Sequence, residues 1–219
     1  MTNAPGWLYQ AVSFLTALAL VSAFAALSCR TLHLVIRAYA AQSVLLGLAA
    51  LAVGLEPVRW HILALGLLTI VLKGGAIPWF LFKVMEDVKI RREAAPFIGY
   101  PASLLGGVGL ALVSYAAVRS VMPESFTGRG LAMGLTLMLL GLWLMVGRKK
   151  AVTQAVGLLI VDNGIFVAAL STTFGMPMIV ELGLLFDLLV CVTVIGVLIF
   201  RIQSSFASIN TDNLSRLKG

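Results

Sequence analysis

The sequence predicts an all-α polytopic membrane protein with seven transmembrane helices, its N-terminus outside the cytoplasm and its C-terminus inside. Three observations support this prediction. Of the 219 residues, 60% are hydrophobic and only 11% are charged, and the mean hydropathy is +1.03. Ordinary soluble domains carry roughly 25% charged residues. The apolar residues also form long continuous runs, and the basic residues collect at alternate ends of those runs.

Seven apolar runs are each long enough to cross a hydrocarbon core about 30 Å thick as an α-helix. Short polar turns separate them, and Pro57, Pro96, Pro123 and Pro177 punctuate four of these turns. The first run follows MTNAPGW, which has no basic residue, so we interpret it as a retained span rather than a signal peptide. The runs cover approximately residues 7–28, 34–54, 61–83, 97–118, 129–147, 151–172 and 178–201.

The basic residues decide the orientation of these spans through the positive-inside rule. Twelve of the 16 lysines and arginines fall on one side, three on the other, and Lys73 lies inside a span. We assign the first side to the cytoplasm, so the high isoelectric point reflects topology and needs no nucleic-acid partner. The twelve are Arg30, Arg37, Lys83, Lys89, Arg91, Arg92, Arg148, Lys149, Lys150, Arg201, Arg216 and Lys218, and the three are Arg59, Arg119 and Arg129.

No motif of a soluble catalytic site occurs in the chain. Cys29 and Cys191 lack metal-ligand spacing, and neither His33 nor His61 lies near another ligand type in sequence. The pattern therefore argues against disulfide frameworks, zinc sites and iron–sulfur sites. We predict no catalytic residue and no metal site on this chain.

Charged residues inside the spans are the features that point to function. At a rise of about 1.5 Å per residue, Lys73, Asp162 and Asp187 lie about 18, 17 and 14 Å from one end of their spans, close to the midplane. Glu181 is shallower, about one helical turn from the outer side. A carboxylate at the bilayer centre costs at least about 2.5 kcal/mol, so a chain that carries several is expected to use them. They either neutralise one another or relay protons.

The sequence around Lys73 predicts an irregular helix. Pro78 cannot donate a hydrogen bond to the carbonyl of Gly74, and Gly74–Gly75 is a flexible pair. We therefore expect a kink or a break just past the lysine, as at the ion sites of transporters. Three amides inside the spans, Gln42, Gln154 and Asn163, either pair helices or hold proton-carrying waters.

Small residues at four-residue spacing predict close helix packing in two spans. These are Gly99, Ser103 and Gly107 in the fourth span, and Gly130 and Gly134 in the fifth.

Two stretches carry a resemblance to a known family, namely LKGGAIPWFLFKV…IRREAAPFIGYPASLL and VGLLIVDNGIF…PMIVELGLLFDLLV. Over nearly its whole length the chain resembles component E of hydrogenase-4, a membrane subunit of group 4 [NiFe]-hydrogenase and formate hydrogenlyase complexes. Residues 129–201 are similar to the K subunit of respiratory complex I and the C subunit of multisubunit cation/proton antiporters. The complex I subunit carries two buried glutamates on its proton pathway.

The resemblance implies a subunit that contains a four-helix region, 1–128, a three-helix region, 129–201, and a cytoplasmic tail, 202–219. Asp162 occupies the place of the first glutamate, and Glu181 or Asp187 the place of the second. It further implies a proton path through Lys73, Asp162, Glu181 and Asp187.

The same resemblance implies that catalysis and metal centres belong to partner subunits and that this chain binds no cofactor of its own. The expected partners are an antiporter-like subunit and a membrane-anchor subunit in a bacterial or archaeal cytoplasmic membrane. The chain would link these two subunits and translocate protons or Na⁺. The alternatives are a passive assembly subunit, a component of a cation/proton antiporter, and an autonomous transporter.

Overall fold

The computed structural model describes residues 6–55, 58–87, 97–122 and 126–173. These residues are almost entirely helical. In chain order the helices are α1 (Gly6–Ser28), α2 (Leu32–Leu55), α3 (Trp60–Leu68), a π-helical segment (Thr69–Ala76), α4 (Ile77–Asp87), α5 (Tyr100–Val121), α6 (Phe126–Gly147) and α7 (Ala151–Thr173). The α3 helix, the π-helical segment and α4 follow one another directly and form a single long rod.

Six helical rods in the described part of the chain are long and apolar enough to cross a membrane, which confirms the all-helical prediction in that part. Their bounds agree closely with the predicted runs: the second run, 34–54, corresponds to Leu32–Leu55, and the third, 61–83, to Trp60–Glu86. Bilayer thickness fixes helix length, so hydropathy alone locates the ends well. The predicted seventh span, 178–201, and the predicted tail, 202–219, lie outside the described residues.

The centre of the bundle is formed by α2 and α7. The α2 helix contacts α1, the α3–α4 rod and α7, and α7 also packs along α6. The α5 helix lies outside α6 and exposes large apolar side chains, including Leu105 and Leu112. Such exposed apolar faces are typical of helices that contact lipid, because lipid tails are as apolar as leucine.

The closest helix pair, α6 and α7, meets through glycines on both helices. A Cβ atom added at Gly134 would lie 2.7 Å from the carbonyl oxygen of Gly164, and one added at Gly141 would lie 2.6 Å from that of Gly157. Both distances are shorter than any normal van der Waals contact of carbon with oxygen. The backbones of α6 and α7 therefore touch directly, and a side chain at any of these positions would force them apart.

The predicted small-residue faces are only partly used for this packing. Gly130 and Gly134 face α7, and Gly107 packs against α1 and α6. The backbone carbonyl of Ser103 accepts a hydrogen bond from the indole of Trp143 at 3.0 Å. Gly99 precedes α5, and a Cβ atom added there would meet nothing within 4 Å in the described part of the chain, so no described helix packs closely against this position.

The helix that carries Lys73 is irregular, but not in the predicted way. No break follows the lysine; instead the π-helical segment Thr69–Ala76 begins before Lys73 and includes it. The N–H of Ile77 donates to the carbonyl of Leu72, five residues earlier, so the wider turn keeps its hydrogen bonds up to Pro78. The expected kink is replaced because widening the turn satisfies backbone groups that a break would expose to lipid.

Candidate functional site

A buried ion pair joins the third span to α7. The ammonium of Lys73, on the π-helical segment, contacts the carboxylate Oδ2 of Asp162, on α7. Both residues are almost inaccessible, with 3% of Lys73 and 2% of Asp162 exposed. Charges buried this deeply persist in proteins only when they are paired and hydrogen-bonded. The structure thus brings together the lysine and the first acid that the depth estimate placed at one level.

The pair also has a second side, which faces Asn163 and Phe166. The Lys73 Nζ lies 3.5 Å from Asn163 Oδ1, at the limit of a hydrogen bond, and 5.7 Å from the centroid of the Phe166 ring. A ring face at that distance attracts a cation without accepting its proton. The contacts of Lys73 therefore include a carboxylate, an amide oxygen and an aromatic ring.

A chain of polar side chains continues from Asn163 toward α1. The amide nitrogen of Asn163 donates to Gln42 Oε1 and to Ser43 Oγ, each at 3.1 Å, and both acceptors lie on α2. The Gln42 amide then donates to the backbone carbonyl of Ala19 on α1, at 3.3 Å. All of these side chains are buried. A polar network therefore crosses the bundle from α7 to α1.

The structure separates the predicted site residues into three groups. Lys73, Asp162, Asn163 and Gln42 come together in one network. Gln154 does not join it, since its amide donates at 3.0 Å to the carbonyl of Arg148, at the end of α6. That position follows from its place two turns before Asp162, too far along the helix axis to reach the pair. Glu181 and Asp187 lie outside the described residues.

Two members of the network were not predicted from sequence. Phe166 follows Asp162 by four positions, so helical periodicity could have placed it on the same face. Ser43 offered no such signal, because it neighbours Gln42 in sequence, and adjacent residues on an α-helix point in directions about 100° apart. Only the packing of α2 against α7 brings both side chains to Asn163.

Arg148 is a buried residue whose position the sequence did not reveal. It directly follows α6, and only 2% of its surface is exposed. Its Nη2 donates to the backbone carbonyl of Leu27 at 2.5 Å, and its Cζ lies 4.4 Å from the centroid of the Tyr100 ring. Burial raises the pKa of the nearby Cys29 thiol, and the charge of Arg148 opposes this rise. The arginine thus connects the ends of α1 and α6 with the start of α5.

The chain is similar to the Uncharacterized protein Rv0085 of Mycobacterium tuberculosis (strain ATCC 25618 / H37Rv). The two are 33% identical over 192 residues, which is 86% of this chain and 87% of the mycobacterial protein. The chain belongs to the Rv0085 family. No family model matches the chain. No solved structure matches it either.

Membership of the Rv0085 family extends over the part of the chain that holds the buried network. A match over 86% of the chain leaves unmatched residues only near its ends. Residues 42, 73, 162 and 163 therefore lie within the region shared with Rv0085.

Proposed function

We propose that this chain is a membrane subunit that relays protons through the buried Lys73–Asp162 pair. The observation that carries this proposal is the pair itself, held inside a polar network and remote from both ends of its helices. Lys73 lies thirteen positions past Trp60, about 20 Å along the rod, and Asp162 lies eleven past Ala151, about 17 Å along α7. Both are near the middle of a core about 30 Å thick.

The chemistry available to the pair is proton exchange. A proton that moves from the Lys73 ammonium to the Asp162 carboxylate leaves a neutral amine beside a neutral acid. The proposed relay requires the pair to pass between these two states.

The π-helical segment supports a mobile rather than a rigid role for Lys73. Segments with π-type hydrogen bonds are rare and are frequently found at functional sites. This one places the lysine on a turn whose hydrogen bonds can rearrange without breaking the helix. The following residue, Gly74, leaves no side chain between this turn and Val44 of α2, so the two helices approach closely.

The wider assignment rests on the sequence resemblance to component E of hydrogenase-4. It proposes a subunit of an energy-converting hydrogenase or formate hydrogenlyase complex, in which partner subunits hold the metal centres. In this proposal the chain links an antiporter-like subunit to a membrane-anchor subunit. In the same proposal, Glu181 and Asp187 are further members of the proton path. The proposed location is a bacterial or archaeal cytoplasmic membrane.

A passive assembly role is the second candidate, and the same contact favours it. A lysine that contacts a carboxylate directly also fits a permanent neutral pair that fixes the α3–α4 rod against α7. The two candidates predict different results when both residues are replaced by uncharged side chains. An assembly role does not require titratable groups, whereas a proton relay does. Proton movement by assembled variants of Lys73 and Asp162 is therefore the deciding measurement.

The proposal includes seven spans, with the C-terminus in the cytoplasm. A reporter active only in the cytoplasm should therefore be active when fused after Gly219 and inactive when inserted beside Glu124. A reporter active only outside should give the opposite pattern. Activity of both fusions on the same side would contradict the seven-span topology, whatever the role of the buried pair.

The proposed partners can be sought by mild detergent extraction of the tagged full-length chain from its native membrane. We expect an antiporter-like subunit and a membrane-anchor subunit to be recovered with it in fixed ratios, identified by mass spectrometry. A monodisperse chain that moves ions by itself in liposomes would instead indicate an autonomous transporter. Co-purification with a cation/proton antiporter and without a hydrogenase subunit would favour the antiporter alternative.

A further inference from the structure

A cluster of cations and aromatic rings occupies one end of the helix bundle, far from the buried pair. It forms where α1 ends, α5 begins and α6 passes into α7. We call it the Arg148 cluster, and it consists of Arg30, Phe97, Tyr100, Arg148 and Lys149. Arg30 and Arg148 both lie over the ring of Tyr100, with their Cζ atoms 5.3 and 4.4 Å from its centroid. Lys149 lies over the ring of Phe97, with Nζ 4.7 Å from its centroid.

The central guanidinium of this cluster has unused donor capacity. Nη2 of Arg148 donates to the carbonyl of Leu27, but Nη1 is buried and has no hydrogen-bond acceptor among the described residues. A buried donor on a charged group that lacks an acceptor costs at least about 1–3 kcal/mol. Buried polar groups are satisfied in nearly all proteins, so such a donor indicates a ligand or partner.

The two arginines of the cluster have no carboxylate counterpart among the described residues. In the described part of the chain, neither Arg30 nor Arg148 forms an ion pair with a carboxylate, and the carboxylate of Asp162 contacts Lys73 instead. The whole chain carries a formal net charge of +7. Arg30 and Lys149 are exposed, so an anion can approach Arg148 from their side. An anion is therefore the kind of partner that fits the two arginines.

The position of the cluster identifies the class of that anion. The helices that meet there are long enough to span a bilayer, so their ends lie at the level of the lipid headgroups. Tyrosine residues such as Tyr100 are typical of this level, because their rings are amphipathic. Phosphate oxygens match the planar fork of a guanidinium, and basic pockets between transmembrane helices bind anionic headgroups.

We propose that the Arg148 cluster is a binding site for the phosphate diester of an anionic phospholipid. Arg148 supplies the fixed guanidinium, which Leu27 and Tyr100 hold in place. Its Nη1 donates a hydrogen bond to a phosphate oxygen. Arg30 and Lys149 add charge from the exposed side. The bound lipid would connect α1, α5 and α6 at one membrane surface. This site goes beyond the proposed proton path and does not depend on it.

The test is lipid binding by the purified full-length chain, measured by native mass spectrometry after titration with lipid in detergent. Phosphatidylglycerol is the anionic probe, phosphatidylcholine the zwitterionic control, and inorganic phosphate the soluble competitor. We expect phosphatidylglycerol to bind and Arg148→Gln to weaken it about tenfold, the loss of one charged hydrogen-bond donor. Arg30→Gln should weaken it about fivefold, the effect of one surface cation. Arg129→Gln, at the opposite end of the bundle, should change nothing.

Each other outcome overturns the proposal in a distinct way. Equal retention of phosphatidylcholine and phosphatidylglycerol would show that headgroup charge is irrelevant. Displacement of the lipid by millimolar inorganic phosphate would indicate a site for a free anion. The exposed side chain of Arg30 is not needed for folding, so Arg30→Gln tests the proposal even if Arg148→Gln fails to fold. Unchanged lipid binding by Arg30→Gln would show that the Arg148 cluster does not bind the lipid. Binding of an acidic partner subunit in place of lipid would assign the cluster to a protein interface.

Discussion

In the proposed hydrogenase complex, the double variant Lys73→Met/Asp162→Asn is expected to assemble and to turn over hydrogen without pumping protons. The two substitutions nearly preserve side-chain volume and together remove both titratable groups, so the double variant leaves no charge buried opposite a neutral residue. If the pair relays protons, the double variant lacks both protonatable groups of that step. The number of protons moved per hydrogen turned over should fall by about tenfold or more. The measurement is proton uptake in proteoliposomes, alongside turnover of the same preparation.

The matched control lies on the same helical rod. Lys83 and Glu86 are exposed at its end, so Lys83→Met/Glu86→Gln makes the same chemical changes away from the pair. This control should pump like the unmodified protein. Full pumping by the assembled Lys73→Met/Asp162→Asn variant would exclude the pair from the pathway and leave the assembly role in its place.

The single variants distinguish the two roles further. Lys73→Met or Asp162→Asn removes the ion-pair partner of the remaining buried charge, which typically costs about 3–5 kcal/mol. In the assembly role, each single variant should lower the amount of complex, and the double variant should restore both assembly and pumping. In the relay role, the double variant should restore assembly alone. Quantifying the complex by gel filtration separates these outcomes from loss of turnover.

The second large effect is expected from Gly164→Ala. A Cβ atom at this position would lie 2.6 Å from the backbone nitrogen of Met138 and 2.7 Å from the carbonyl oxygen of Gly134. Neither atom can move without moving α6 as a whole. Overpacking of this kind costs about 1–3 kcal/mol, and here it would also displace the turn that holds Asp162 and Asn163. We expect a lower melting temperature of the purified chain in detergent.

The control for this variant is Gly109→Ala on α5, where an added Cβ has no neighbour within 4 Å in the described part of the chain. Alanine is intrinsically the better helix former by roughly 0.5–1 kcal/mol, so this variant should be at least as stable as the original. Equal stability of Gly164→Ala and Gly109→Ala would contradict the direct backbone contact between α6 and α7.

The sequence indicated how deep each polar residue lies in the membrane, but it did not indicate which neighbouring helix each side chain faces. Hydropathy locates the described spans, and a fixed rise per residue places Lys73 and Asp162 at one level. Which helices are neighbours depends on packing, and here glycine contacts such as Gly134–Gly164 decide it. For that reason Gln42 and Asn163 could be singled out as polar, whereas their contact with each other and with Ser43 could not. The roles of Glu181 and Asp187 stay predictions from the resemblance.

Arg148 shows the same limit at the level of a single residue. It stands in a run with Lys149 and Lys150, and all three contribute equally to a count of basic residues. Their surroundings differ, since Arg148 is buried whereas Lys149 is exposed. Nothing in the order of three adjacent cations indicates which one turns inward toward Leu27 and Tyr100.

The π-helical segment has a consequence for how members of the Rv0085 family should be aligned. A turn closed by bonds to the fifth residue holds more residues than an α-turn, so the segment shifts the angular position of everything after it. Deleting one residue between Lys73 and Ile77 would leave the span just as hydrophobic while rotating Lys73 and α4 by about 100° relative to each other. Segment length, rather than composition, is therefore the feature to compare between family members. A relative one residue shorter there presents a different face to α7, even if every polar residue is retained.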